Sequence, residues 1–120
     1  MDTNSLLTLL LHGNQLKRTA RTGWGQRGVP APENVAAHSY GVVFAALLLA
    51  ESMAEPLDLA AVLAMAALHD LPEGLTTDIP APAWRFLPDG AKAAAELRAM
   101  EQIVGDAPIA PQLMAWWEQL

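Results

Sequence analysis

The chain has 120 residues, 52% of them apolar, enough to close one hydrophobic core and too few to build two. Its formal net charge of −6 argues against holding a polynucleotide by its phosphates, which depends on extended positive surface and counterion release. There is no cysteine, so disulfides and thiolate ligands are excluded and any metal must rest on imidazole and carboxylate.

Residues 3 to about 18 predict a helix with Leu6, Leu9, Leu10 and Leu16 along one face, weakened by Gly13. The leucine run inside it lacks a preceding basic region and is too short to span a bilayer. The expectation is a soluble, cytoplasmic protein with no signal peptide and no membrane contact. His12 has no acidic neighbour at ligand spacing and receives no role. Four of the seven basic residues, Lys17, Arg18, Arg21 and Arg27, fall within eleven positions, so an acidic chain carries one concentrated basic segment suited to a small anion.

Residues 21–32 contain three glycines and two prolines and predict a loop, long enough to suggest function. In it Trp24 is placed to stack on a sugar or base, and Arg21 and Arg27 to reach phosphate oxygens; the plainer alternative is a core tryptophan with two solvated arginines. Pro32-Glu33-Asn34 then opens a helix running to about residue 53, with His38, Val42, Ala45 and Leu49 spaced as one face.

Glu55-Pro56 restarts the chain with proline as the first helical residue, and the apolar run 59–68 predicts a fully buried helix reaching Asp70. His69 and Asp70 end that run, where polar groups need partners and where carbonyl groups make a helix end attractive to a cation. A lone histidine on an apolar face is usually a core residue. Two inward histidines on consecutive helices, one beside an aspartate, instead make three ligands for a divalent cation.

Pro72-Glu73 begins a short turn, with Glu73 three residues past Asp70, where a general acid or base belongs; alone it would be read as a first-turn glutamate. Residues 78–82 predict an extended, proline-fixed loop in which Asp78 is at least a turn former. A helix over 91–104 carries Ala93, Leu97, Met100 and Val104 on one stripe and stops at Gly105. After Pro108 and Pro111, a last helix shows Leu113, Trp116, Trp117 and Leu120 as an apolar face. Nowhere does a period-two pattern persist, so the expected class is all-α, a bundle of about five to six helices in one domain over 1–120.

Three segments together resemble a known family: residues 16–24 (Leu-Lys-Arg-Thr-Ala-Arg-Thr-Gly-Trp), the Pro32-Glu33-Asn34-Val35 to His38-Ser39 stretch, and residues 69–80 (His-Asp-Leu-Pro-Glu-Gly-Leu-Thr-Thr-Asp-Ile-Pro). The ordered set is similar to the HD-domain metal-dependent phosphohydrolases, and within them to the 5′-deoxynucleotidase branch. The resemblance implies a helical HD-domain fold and a divalent metal, Co²⁺, Mn²⁺ or Zn²⁺, with Mg²⁺ as a further candidate. It maps His38, His69 and Asp70 onto metal ligands and Glu73 onto the catalytic acid/base. Trp24 and Asp78 take substrate-sugar positions, and Arg21, helped by Arg27 or Arg18, takes the phosphate.

The implied substrate is a small deoxynucleotide, a 2′-deoxyribonucleoside 5′-monophosphate cleaved to nucleoside and phosphate. Two rivals stand beside it: a deoxynucleoside triphosphate triphosphohydrolase, and a catalytically silent helical protein that binds nucleotide or a partner. One departure bears on the choice. The family completes its metal site with a later aspartate, and no aspartate follows Asp106 here, so the expectation is a domain lacking its C-terminal portion. The apolar stripe of the last helix then invites a homodimer or higher homo-oligomer.

Overall fold

A computed structural model describes residues 1–119; Leu120, counted above on the last apolar face, lies outside them. Among the described residues the chain forms eight α-helices and no strand: α1 (Thr3–Gln15), α2 (Thr22–Gln26), α3 (Val35–Glu51), α4 (Leu59–Leu68), α5 (Glu73–Thr76), α6 (Ala81–Trp84), α7 (Ala91–Val104) and α8 (Ala110–Glu118). The five longer helices are those expected. The three short ones, α2, α5 and α6, replace segments read as loop, turn and extended stretch.

Local chemistry accounts for the helix starts. Asp2 accepts from the Ser5 amide at 2.7 Å, Asn34 from Ala37 at 2.8 Å and Asp58 from Ala61 at 3.2 Å, each satisfying an amide with no partner inside its helix. The Asp58 cap moves the start of α4 to Leu59, so Pro56 lies before the helix and not at its first position. α1 tightens into a 3-10 turn, Leu16–Arg18, that buries Leu16. Thr19 then pairs with α3: its carbonyl accepts from the Val35 amide at 2.9 Å, and the Asn34 side chain donates to Lys17 O at 3.1 Å. Gly105, at φ 52°, ends α7 in the left-handed region where glycine is unstrained.

α3 packs most extensively against α4, and α4 against α8. Met100, Val104 and Ala110 form the buried core, with Leu68, Leu71, Leu113, Met114 and Trp117 packed on it. Leu68 and Leu71 bracket His69 and Asp70, so the core wall carries the polar pair.

Several expected faces are rotated. On α3 the inward side is Val35, Ser39 and the half-buried Val42, Val43, Ala46 and Leu47, whereas Ala45 and Leu49 face out. On α1 Leu6 and Leu10 are exposed; Leu9 is half-buried and Leu16 buried. On α7 Ala93 points outward, and Ala99 and Ile103 join Met100 and Val104 inside. α4 is only half-buried, with Ala66 its one buried residue. α3 and α4 are apolar nearly all round, so spacing alone selects no unique stripe. No helix among the described residues is long and apolar enough to cross a membrane.

Candidate metal centre

His38 sits one turn into α3, and His69 is the residue that closes α4, with Asp70 next to it. The packing of α3 on α4 brings their side chains to one point across 31 sequence positions. His69 Nε2 lies 3.0 Å from Asp70 Oδ2 and 3.3 Å from His38 Nε2, and His38 Nε2 lies 3.4 Å from the same carboxylate oxygen. A tetrahedral ion with nitrogen and oxygen ligands at about 2.1 Å spaces those ligands about 3.4 Å apart. The triangle therefore matches what such an ion requires, and it is the one group of metal-ligating side chains found among the described residues.

The imidazole of His69 is already oriented. Its Nδ1 is 2.6 Å from Ala66 O, so the Nδ1–H form donates to the carbonyl and leaves the Nε2 lone pair facing His38 and Asp70. The hydrogen bond to Asp70 raises the His69 pKa against the opposing effect of burial. Burial lowers that of His38, with the Arg21 guanidinium acting in the same direction. Burial works against ionisation of Asp70, but hydrogen bonds from His69 and Glu73 outweigh it and hold this carboxyl below its ordinary value.

Glu73, the first residue of α5, lies against both Asp70 and Asp78. Burial, then its hydrogen bond with Asp70 and the charges of Asp70 and Asp78, push its pKa up to about 9. Two carboxyl groups side by side therefore differ in protonation, one ionised and one neutral, which is how acid and base roles are separated in a single site.

Arg21, Gly23, Trp24, Arg27 and Asp78 line an adjoining cavity of about 240 Å³. The Arg21 guanidinium stands 5.8 Å from the Trp24 ring centroid, and Arg21 Nη1 bonds Glu33 Oε1 at 2.7 Å. Trp24 is 47% exposed, so it is a wall of this cavity and not a plug in the core. Arg18 is apart from these groups, exposed on the 3-10 turn and absent from the cavity lining. Of the predicted site residues the fold thus gathers His38, His69, Asp70 and Glu73 at one point, sets Arg21, Trp24, Arg27 and Asp78 beside it, and leaves Arg18 outside.

Two residues that lie within the family-like sequence segments, but to which the sequence assigns no site role, also belong to this region. Glu33 holds Arg21 and lies 3.9 Å from His38 Nδ1. Thr22 donates its amide to Asp78 Oδ2 at 3.0 Å and its hydroxyl to Asp78 O at 2.6 Å. Each contact joins segments whose proximity only the fold creates.

A family model described as HD domain matches residues 13–119. The chain belongs to the HD-domain family. Among curated relatives, the human 5′-deoxynucleotidase HDDC2 is 35% identical over 117 residues, 96% of this chain and 55% of that protein. The mouse protein of the same name is 34% identical over 116 residues. This HD-domain chain thus spans about half the length of the curated relatives it matches. A conserved hypothetical protein from Pyrococcus furiosus shares 37% identity with a TM-score of 0.81, over 94% of this chain and 62% of that one. The PH0347 protein of Pyrococcus horikoshii shares 34% at 0.79, with the same coverage. Membership in the HD-domain family implies a divalent metal, and the His38, His69 and Asp70 donor set fits one.

Proposed function

We propose that this HD-domain chain, folded as a single domain, hydrolyses 2′-deoxyribonucleoside 5′-monophosphates to deoxynucleoside and phosphate. The observation that carries the reading is the 3.0 to 3.4 Å triangle of His38, His69 and Asp70 set beside Glu73 and the arginine-tryptophan cavity. The name of the curated relatives, 5′-deoxynucleotidase, supports it. Two imidazoles with one carboxylate favour Co²⁺, Mn²⁺ or Zn²⁺ over Mg²⁺, which prefers an all-oxygen shell. His38, His69 and Asp70 would hold the cation, which would supply Lewis acidity to the site.

The chain's own residues do the rest. Arg21, assisted by Arg27, offsets the phosphate charge, and its remaining guanidinium donors stay available beside the Glu33 pair. Trp24 and Asp78 hold the sugar, fixing the direction of attack. Water adds to phosphorus as the bond from phosphorus to O5′ breaks; Glu73 handles the proton that passes from the water to the departing O5′. Exposed leucines on α1 and the exposed Tyr40, Phe44 and Leu48 on α3 support self-association into a homodimer, and the absence of cysteine supports a cytoplasmic setting.

The test is phosphate release from deoxynucleoside monophosphates with each metal added in turn, with products identified. Turnover with Co²⁺, Mn²⁺ or Zn²⁺, and a loss of about a hundredfold or more in Glu73→Ala, is expected. Absence of turnover with every metal, or an unimpaired Glu73→Ala, sinks the reading; release of inorganic triphosphate from deoxynucleoside triphosphates would move it to the triphosphohydrolase.

A further inference from the structure

The segment that carries Arg21 and Trp24 has little of its own to hold it in place. α2 is five residues long, contains two glycines, buries no side chain, and its N-cap residue Arg21 makes no capping hydrogen bond. Residues 23–31 are all exposed. A short helix without a buried face does not keep an orientation by propensity.

Glu33 holds the Arg21 side chain at 2.7 Å, and the start of the helix itself is gripped from 56 positions away. Asp78 accepts twice from Thr22, through Oδ2 from the amide at 3.0 Å and through its own carbonyl from the hydroxyl at 2.6 Å. Both bonds are partly buried, and Asp78 is also the residue that lies against Glu73. The backbone just before Asp78 is bent: Thr77 stands at φ 62° and ψ 173°, a region almost confined to glycine and strained for other residues. Its amide is pinned to Glu73 O at 2.9 Å. A non-glycine residue held there in a four-residue turn shows that the direction of Asp78 is imposed by its contacts.

We propose that Thr22 is a positioning residue: it latches α2 onto Asp78 and so sets where Arg21 and Trp24 stand relative to Glu73. The hydroxyl is the half of the latch that substitution can remove. Valine at 22 keeps the shape of threonine and loses that donor, and serine keeps the donor and loses only a methyl group. The amide bond to Asp78 survives in both. The kinetic part of the proposal rests on the deoxynucleotidase reading; the latch itself does not.

The experiment compares Thr22→Val, Thr22→Ser and the unmodified protein in two measurements. Amide hydrogen exchange across residues 22–27 accelerates in Thr22→Val, returns to the original rate in Thr22→Ser, and stays unchanged in α4 and α7. With deoxyadenosine 5′-monophosphate and saturating Co²⁺, KM rises about tenfold in Thr22→Val with kcat within about twofold, the loss expected from one hydrogen bond that orients the substrate wall. Exchange in residues 22–27 that is indifferent to Thr22→Val overturns the latch, and so does a Thr22→Ser variant as impaired as Thr22→Val. A kcat that falls while KM holds overturns the positioning role. If the unmodified protein cleaves no deoxynucleoside monophosphate, the deoxynucleotidase reading fails separately, and the exchange rates still decide the latch.

Discussion

Glu73 shows how much of this site is decided one carboxyl at a time. Burial and two neighbouring carboxylates leave it nowhere to place a charge, so its folded pKa of about 9 stands well above the ordinary 4.5. Folding of the metal-free protein therefore takes up a proton at Glu73 between those values. The stabilising share of Glu73 is complete below pH 4.5 and is lost as pH rises toward about 9. His69, whose pKa is also raised, adds a decline of the same sign, whereas Asp70, whose pKa is lowered, contributes above its unfolded value and loses that share on acidification. In chelator, urea unfolding at a series of pH values is expected to show stability falling from pH 5 to 9, and Glu73→Gln to flatten the alkaline part of the decline. An unchanged slope in Glu73→Gln would mean that the carboxyl ionises freely. The residue types for this chemistry are readable in His69-Asp70-Leu71-Pro72-Glu73. The protonation of Glu73 is not, because it depends first on burial and on how Asp70 is set against it, with Asp78 folding back to add to both.

At the scale of elements, long helices with side-chain caps were legible and short ones were not. Asp2, Asn34 and Asp58 each start a helix by accepting from an amide three residues on, a signal that needs nothing beyond local chain. α2, α5 and α6 run only four or five residues, too few to display a period, and α2 and α6 are built from the glycines and prolines that ordinarily mark loops. Asn34 serves two elements at once, capping α3 and donating to Lys17 O, one turn before His38. Asn34→Ala is expected to cost about 1–2 kcal/mol in urea unfolding, the usual loss for a cap together with a second hydrogen bond. It should also weaken Co²⁺ binding measured by calorimetry, because the first turn of α3 carries His38, one of the three side chains proposed to hold the cation. Stability lost with full metal affinity would show that His38 is held by α4 packing alone.

Over the whole molecule, the core and the metal centre share a wall. Met100 is fully buried in the cluster against which Leu68 and Leu71, the residues on either side of His69 and Asp70, pack. Met100→Ala is expected to destabilise the fold by about 2–5 kcal/mol, as large-to-small changes in closed cores do, and to lower metal affinity through the loosened wall. Thermal unfolding with and without Co²⁺ reads both effects, and a variant destabilised equally in the two conditions would separate the wall from the site.

The sequence by itself determined that the protein is helical and that any metal it holds must rest on imidazole and carboxylate, since both follow from residue type and near-neighbour spacing; the start of α4, read at Pro56, was fixed only by the Asp58 cap. Only the tertiary structure decided which face of α3 and α4 turns inward, that His38 meets a pair 31 positions later, and that Thr22 and Glu33 join the site. Those outcomes depend on side chains from distant segments competing for the same buried space. An apolar stretch that is greasy on every side leaves that competition open until the helices pack.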